Sequence, residues 1–452
     1  MNGMRRENSK RKAEKRKVTR REFIKASAGI AAGIAAGACP FSGGIAPAFA
    51  KRKIKLLYWA RDYNEKDAVQ YAAEFMKLHP EYEITVEGIP WTGMYEKVNT
   101  SLVGGKSADL LSCALPWVAA FAESGFLHPI DSVWERDFSA AEREDYFPGG
   151  VSYATYKGEL YGTPWRVDGN MLIWSVDAFK EAGLDPAKGP DTWDEVLEYG
   201  KKLTTADPSG TTKQYAMSMF GKPPGGIFDW FLTPLIWSFG GYFTDEKVTR
   251  SRINEKAVIE AFKYAAELNT KHKIVTPAVF SYQWSDLSPL LAKRTAAVLF
   301  GHQANFKVVW KVSPGMKLGA APYPRGPAGR FTMANGWCHS IPVSANLEEV
   351  WPFVLYLQDP MRQATLTVGA PGRKAGLAHP KYDVFEKEPL LQYAAGSGAD
   401  TATVRPINKS PLGHRILDEM GRIFAEAWEG KITPKDAALK AHERVNEIIK
   451  SA

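Results

Sequence analysis

Tryptophans stand beside carboxylates and guanidiniums where apolar runs end. Trp59-Ala60-Arg61-Asp62 closes the first run, Trp91 follows the second and Trp117 the third. Trp165-Arg166-Val167-Asp168 follows Tyr161-Gly162-Thr163-Pro164, Asp229-Trp230 opens an aromatic stretch reaching Trp237, and Trp337 follows Asn335-Gly336. An indole face suits the C–H face of a sugar, while Asp, Arg, Asn and Gln side chains hydrogen-bond its hydroxyls. Trp59, Trp117, Trp165, Trp230 and Trp337 are therefore expected to bind a guest. Arg61, Asp62, Asp168 and Asp229 are balanced between touching that guest and capping or pairing with neighbours. Trp134, Trp174, Trp193, Trp310, Trp351 and Trp428 read as packing, Trp193 because it directly follows a cap and Trp174 because its strand is apolar.

Catalytic signatures are missing. Gly105-Lys106-Ser107 ends like a phosphate loop, but Thr100 stands where the cradle needs glycine. There is no H-E-x-x-H, C-x-x-C, G-x-S-x-G, or G-x-G-x-x-G after a strand. The eight histidines lack ligand spacing, so no metal or cofactor is expected. Paired carboxylates for glycoside cleavage stay open, because their separation is spatial. Cys113 and Cys338 read as two small buried hydrophobes.

Charge separates a leader from a body. Arg5 to Lys17 is basic, Thr19-Arg20-Arg21-Glu22-Phe23-Ile24-Lys25 follows, then a soft apolar segment from Ala26 to Ala38, then Ala48-Phe49-Ala50. Basic start, apolar middle and small-x-small exit describe an export signal, here of twin-arginine form. Residues 1–50 hold 11 basic and 3 acidic side chains, so the chain's net +8 lies wholly in the leader. The body is formally neutral, which argues against a nucleic-acid binder. All 14 tryptophans lie in that body, which is long enough for two domains. It has no apolar run of membrane-spanning length.

The elements that must position these aromatics alternate between strand and helix. Strands are expected at Lys53 to Ala60, Glu83 to Ile89 and Asp109 to Ala114. Between them come a helix capped by Asn64, with Val69, Ala72, Phe75 and Met76 as its stripe, and another from Tyr95 to Val103. Thr192 to Glu195 is a capping box, and Asn254 and Thr433-Pro434 open further helices. Short strands follow at Ala296 to Phe300, Lys317 to Pro322 and Ser340 to Val343. Such alternation indicates a parallel α/β sheet, with ligands outside the carboxyl ends of its strands. Pro322 to Gly329 reads as a crossing between two lobes.

The chain resembles the maltose-binding-like solute-binding proteins of ABC importers. The carrying segments are Gly104-Gly105-Lys106-Ser107-Ala108-Asp109, where Ala108 replaces the usual proline, and Glu123 to Ile130. Tyr156-Lys157-Gly158-Glu159-Leu160-Tyr161-Gly162-Thr163-Pro164, Val176 to Leu184 and Asp191 to Glu195 are the most specific. Gly240-Gly241, Gly336-Trp337, Gly369-Ala370-Pro371-Gly372-Arg373 and Pro434 to Ala438 complete the order. The resemblance implies an α/β, two-lobed periplasmic-binding-protein fold with a cleft between lobes joined by crossover strands. It places residues 51–168 plus about 336–385 in one lobe, and about 169–335 plus 386–452 in the other. It implies an exported monomer, not an enzyme, passing a carbohydrate to a permease, and the indole platforms suit a neutral, hydroxyl-rich guest. Arg61 and Asp62 then fall in the first sugar-contacting loop and Trp117 in the loop after the third strand, while Trp91 is a candidate only by its place after the second strand. Trp230, beside Asp229, is the stacking aromatic, and His302 and Gln303 match a loop that usually carries one. Asn335, Gly336 and Trp337 lie on a crossover strand, and Arg373, like Arg405, is either a contact for an anionic ligand or ordinary surface charge. A secreted carbohydrate-active enzyme, or the same fold holding a glycerol phosphodiester or polyamine, are the competing readings.

Overall fold

A computed structural model describes residues 53–222, 226–367, 369–380 and 402–452, without the Asp229 side chain. The leader lies outside them. Ten strands form two sheets: β1 Ile54–Arg61, β2 Tyr82–Ile89, β3 Leu110–Ala114, β4 Thr163–Asp168, β5 Met171–Ser175, β6 Thr205–Ala206, β7 Thr212–Ser218, β8 Ala296–Gly301, β9 Leu318–Pro322 and β10 Asn335–Ser340. The first sheet runs β2-β1-β3-β10-β4 and the second β9-β5-β8-β7-β6.

Each sheet carries its own apolar core, the first including Tyr58, Phe75, Leu111 and Trp351, the second Trp174, Phe262, Phe300 and Trp428. This is the two-lobed arrangement expected. The sheets are mixed rather than parallel: β1, β2 and β3 run together, while β10 is antiparallel to β3 and β4. In the first sheet the antiparallel strand is β10, on which the chain returns to that lobe.

Helices cover both sheets: α1 Glu65–Leu78, α2 Met94–Val103, α3 Trp193–Leu203, α4 Lys256–Thr270, α5 Trp284–Ala292, α6 Ala304–Val312, α7 Leu347–Leu357, α8 Gly413–Trp428 and α9 Pro434–Lys450. The Thr192 hydroxyl accepts from Glu195 N at 3.2 Å, and Thr433 caps α9 through Asp436 N. Asn64 stands at the start of α1 but makes no capping bond, and Glu255 rather than Asn254 precedes α4.

The crossings are short. Asp168 ends β4 in the first sheet, and Met171 begins β5 in the second. On the return, Met333 is buried in the second core and Ala334 in the first. The Pro-rich passage is therefore not the crossing. Arg325 pairs with Asp191 at 2.9 Å and Ala328 N donates to Ser238 O, which holds that segment on the second lobe. The strand expected at Ser340 to Val343 lies earlier, at β10, because its pairing with β4 starts at Asn335. Cys338 lies opposite Cys113 across β10 and β3, both free and buried. Among the described residues no helix is long and apolar enough to cross a membrane.

Candidate functional site

Because β1, β2 and β3 are parallel, their carboxyl ends share one edge of the first sheet. Arg61 ends β1 there, buried, its Nη1 donating to Ile89 O at 2.6 Å. The guanidinium lies 4.8 Å from the Trp337 ring, 5.3 Å from Tyr63 and 5.8 Å from Trp91. Burial lowers its pKa, with Tyr63 and Asp62 opposing. Trp91 stacks on Trp117 at 5.3 Å and 11°, and Trp337 meets both rings edge-on. Trp91 keeps 40% of its surface exposed and Tyr63 38%.

The same edge receives β4 and β10. Asn335, Gly336 and Trp337 pair with Asp168, Val167 and Arg166. At Gly336, φ is 138° and a Cβ would stand 2.1 Å from Arg166 O, so only glycine lets the strands meet so closely. Arg166 and Asp168 are buried and form an ion pair, Nε to Oδ2, of 2.5 Å. Burial draws the Arg166 pKa down, but Asp168 and Tyr63 outweigh it and hold the guanidinium charged. Its Nη1 donates to the Tyr63 hydroxyl at 2.9 Å.

The second lobe meets this edge with the segment after β8. His302 and Gln303 are buried just ahead of α6. The His302 ring lies parallel to Trp284 at 5.3 Å and 4.7 Å from Trp230. Trp230 sits in a widened helical turn, Phe228–Leu232, and its carbonyl accepts from Tyr323 and Asn170. Burial lowers the His302 pKa well below its usual value, helped by Arg166. Polar contacts cross between the lobes here, Arg166 Nη2 to His302 Nε2 at 3.4 Å and Gln303 Nε2 to Asp168 Oδ1 at 3.3 Å.

The structure thus gathers Arg61, Trp91, Trp117, Asp168, Trp230, His302, Gln303, Gly336 and Trp337 in one run of contacts where the two lobes meet. Asp62 is exposed beside Arg61, and Asn335 Oδ1 accepts from Gly336 N at 3.2 Å. Three expected residues are placed elsewhere. Trp165 is fully buried and stacks on His339 at 5.7 Å, because strand alternation turns it away from the face of Arg166 and Asp168. Trp59 lies two residues before the β1 edge, buried, with the Lys97 ammonium of α2 over its ring at 4.5 Å. Arg373 is held by Asp145 at 2.8 Å and by Gln358 O, within the first lobe. The side chain of Asp229 lies outside the described residues.

Tyr63 and Trp284 join the site without having been singled out. Neither belongs to a local motif, and only the fold brings them together. The signal that could have found Tyr63 is its position directly after the Trp59-to-Asp62 run.

The family profile described as bacterial extracellular solute-binding protein matches residues 63–364. A maltotriose-binding protein of Pyrococcus abyssi is 24% identical over 84% of this chain and 76% of its own. An sn-glycerol-3-phosphate-binding periplasmic protein of Brucella abortus is 25% identical, covering 90% of this chain and 95% of its own. A solved ABC transporter solute-binding protein from Thermotoga lettingae, bound with alpha-D-tagatose, superposes with a TM-score of 0.76. It is 22% identical and covers 87% of this chain and 99% of its own, a likeness of fold.

Proposed function

We propose that this chain, which belongs to the bacterial extracellular solute-binding proteins, captures a carbohydrate between its lobes for the permease of an ABC importer. One observation carries the reading. Partly exposed aromatic rings of both lobes flank the Arg166–His302 contact, Tyr63 from one and Trp230 and Trp284 from the other, and Trp91 lies beyond Tyr63 over Arg61. Rings give a sugar its apolar platforms, and the polar groups between them give it directed hydrogen bonds.

Capture follows from where the contacts lie. A solute touching Trp91 alone gains only one lobe's contribution. A solute touching both lobes favours the arrangement in which they meet, and this difference drives closure. No bond is made or broken. In this reading the protein acts as a monomer outside the cytoplasm, exported by the twin-arginine route through Arg20-Arg21.

Isothermal titration of the mature protein against mono- and oligosaccharides tests the reading. Saturable binding with no change in reducing ends supports it. Silence across the panel, or turnover of any member, overturns it.

A further inference from the structure

The polar groups at the centre of the gap are unbalanced, and the imbalance has a sign. Ala304 N lies 3.1 Å from His302 Nδ1. A backbone N–H only donates, so Nδ1 presents its lone pair. A neutral imidazole carries a single proton, which must then sit on Nε2. Nε2 faces Arg166 Nη2 at 3.4 Å, and guanidinium nitrogens likewise only donate. Of the other Arg166 nitrogens, Nη1 donates to the Tyr63 hydroxyl, while Nε is ion-paired with the Asp168 carboxylate but lacks a well-aligned acceptor. His302 and Arg166 are 2% and 6% exposed, so two buried donors point at each other.

Neighbouring groups repeat the pattern. Arg61 Nε and Trp284 Nε1 are buried donors without a partner, and Trp284 lies against the His302 ring. Gln303 Oε1 and the Asn64 amide are also unpartnered, but they add little acceptor capacity against these donors. Charge points the same way. Of two buried guanidiniums, Arg166 pairs with the buried carboxylate of Asp168, while Arg61 pairs only with Asp62, which is nearly half exposed. A buried charge without a full partner is costly, and an oxyanion is the group that bonds several such donors at once.

We propose that the captured carbohydrate carries an oxyanion, a carboxylate or a phosphate, that seats against Arg166 Nη2 and His302 Nε2. The proposal rests on the carbohydrate reading above and narrows its solute class. A hydroxyl satisfies the two donors less well, because it brings its own proton and leaves the surplus guanidinium charge uncompensated. A polyamine is disfavoured outright, since it would place cations beside two arginines.

Matched probes test this: glucose against glucuronate and glucose 6-phosphate, galactose against galacturonate, and glycerol against sn-glycerol 3-phosphate. Titrated into the mature protein, an acid-bearing probe should bind about 100-fold more tightly than its neutral partner, the range of a buried charged hydrogen bond. Whether the carboxylates or the phosphates win identifies the oxyanion. His302→Phe keeps a ring beside Trp230 and Trp284 but removes the donor. It should cost the acid about 10-fold or more beyond whatever it costs the neutral partner, with thermal melts confirming the fold. Equal or tighter binding of neutral sugars overturns the proposal while the carbohydrate reading stands. Failure of every acidic probe and of the neutral oligosaccharides overturns both.

Discussion

Asp168 Oδ1 accepts from Gln303 Nε2 at 3.3 Å while its Oδ2 lies 2.5 Å from Arg166 Nε. One carboxylate therefore holds the cationic centre of the first lobe and reaches the second lobe across the gap. Removing its charge leaves a buried guanidinium, because Arg166 is 6% exposed. Asp168→Asn is expected to lower stability by about 3–5 kcal/mol, the usual cost of breaking a buried pair. Urea denaturation monitored by circular dichroism measures it. A loss below about 1 kcal/mol would mean that solvent, not Asp168, balances Arg166.

Trp91 and Trp165 should separate binding from folding. Trp91 is 40% exposed at the gap, whereas Trp165 is fully buried against His339. Trp91→Ala and Trp230→Ala are expected to weaken solute binding about 10-fold or more with small changes in melting temperature. Trp165→Ala should cost about 3–5 kcal/mol of stability through the cavity it leaves. Titration and melting on the three variants check the division; equal effects on both readouts would refute it.

Burial also sets a pH dependence. His339, enclosed with Tyr58 and Gln358, has its pKa lowered to about 3, and His302 is held well below its usual value. An unfolded imidazole titrates near 6.5, so below that pH the unfolded chain binds protons that the folded chain refuses. Stability from both residues is full above about pH 6.5 and falls as pH drops, by about 1.4 kcal/mol per unit for each histidine. Denaturation midpoints at pH 7.5 and 5.5 should differ accordingly, and His339→Gln should remove its share of the difference. A pH-independent midpoint would show that the rings protonate in place.

The leader carries a prediction of its own. Changing Arg20 and Arg21 to Lys should leave uncleaved precursor in the cytoplasm, read by fractionation and precursor size. Normal export of that variant would exclude the twin-arginine route.

Much of the scaffold was legible because it follows local rules. The runs ending at Arg61, Ile89 and Ala114 are strands, apolar or alternating, and Thr192 and Thr433 are helix caps. What escaped depends on faces and partners. Trp165 and Arg166 are adjacent in sequence, yet strand alternation sends one to the core and the other to the gap. Arg373 looked available until Asp145, 228 positions away, was found beside it. Tyr63 and Trp284 lie 221 positions apart in sequence, and no local spacing relates them. The Pro-rich passage resembled a crossing by composition, but Asp191 and Ser238 fasten it to one lobe.

The most direct test is a crystal structure of the mature protein with the tightest-binding acidic sugar. The solute should lie between Tyr63 and Trp91 on one side and Trp230 and Trp284 on the other, with its oxyanion on Arg166 Nη2 and His302 Nε2. Density confined to one lobe, or an oxyanion turned away from both nitrogens, would contradict the account.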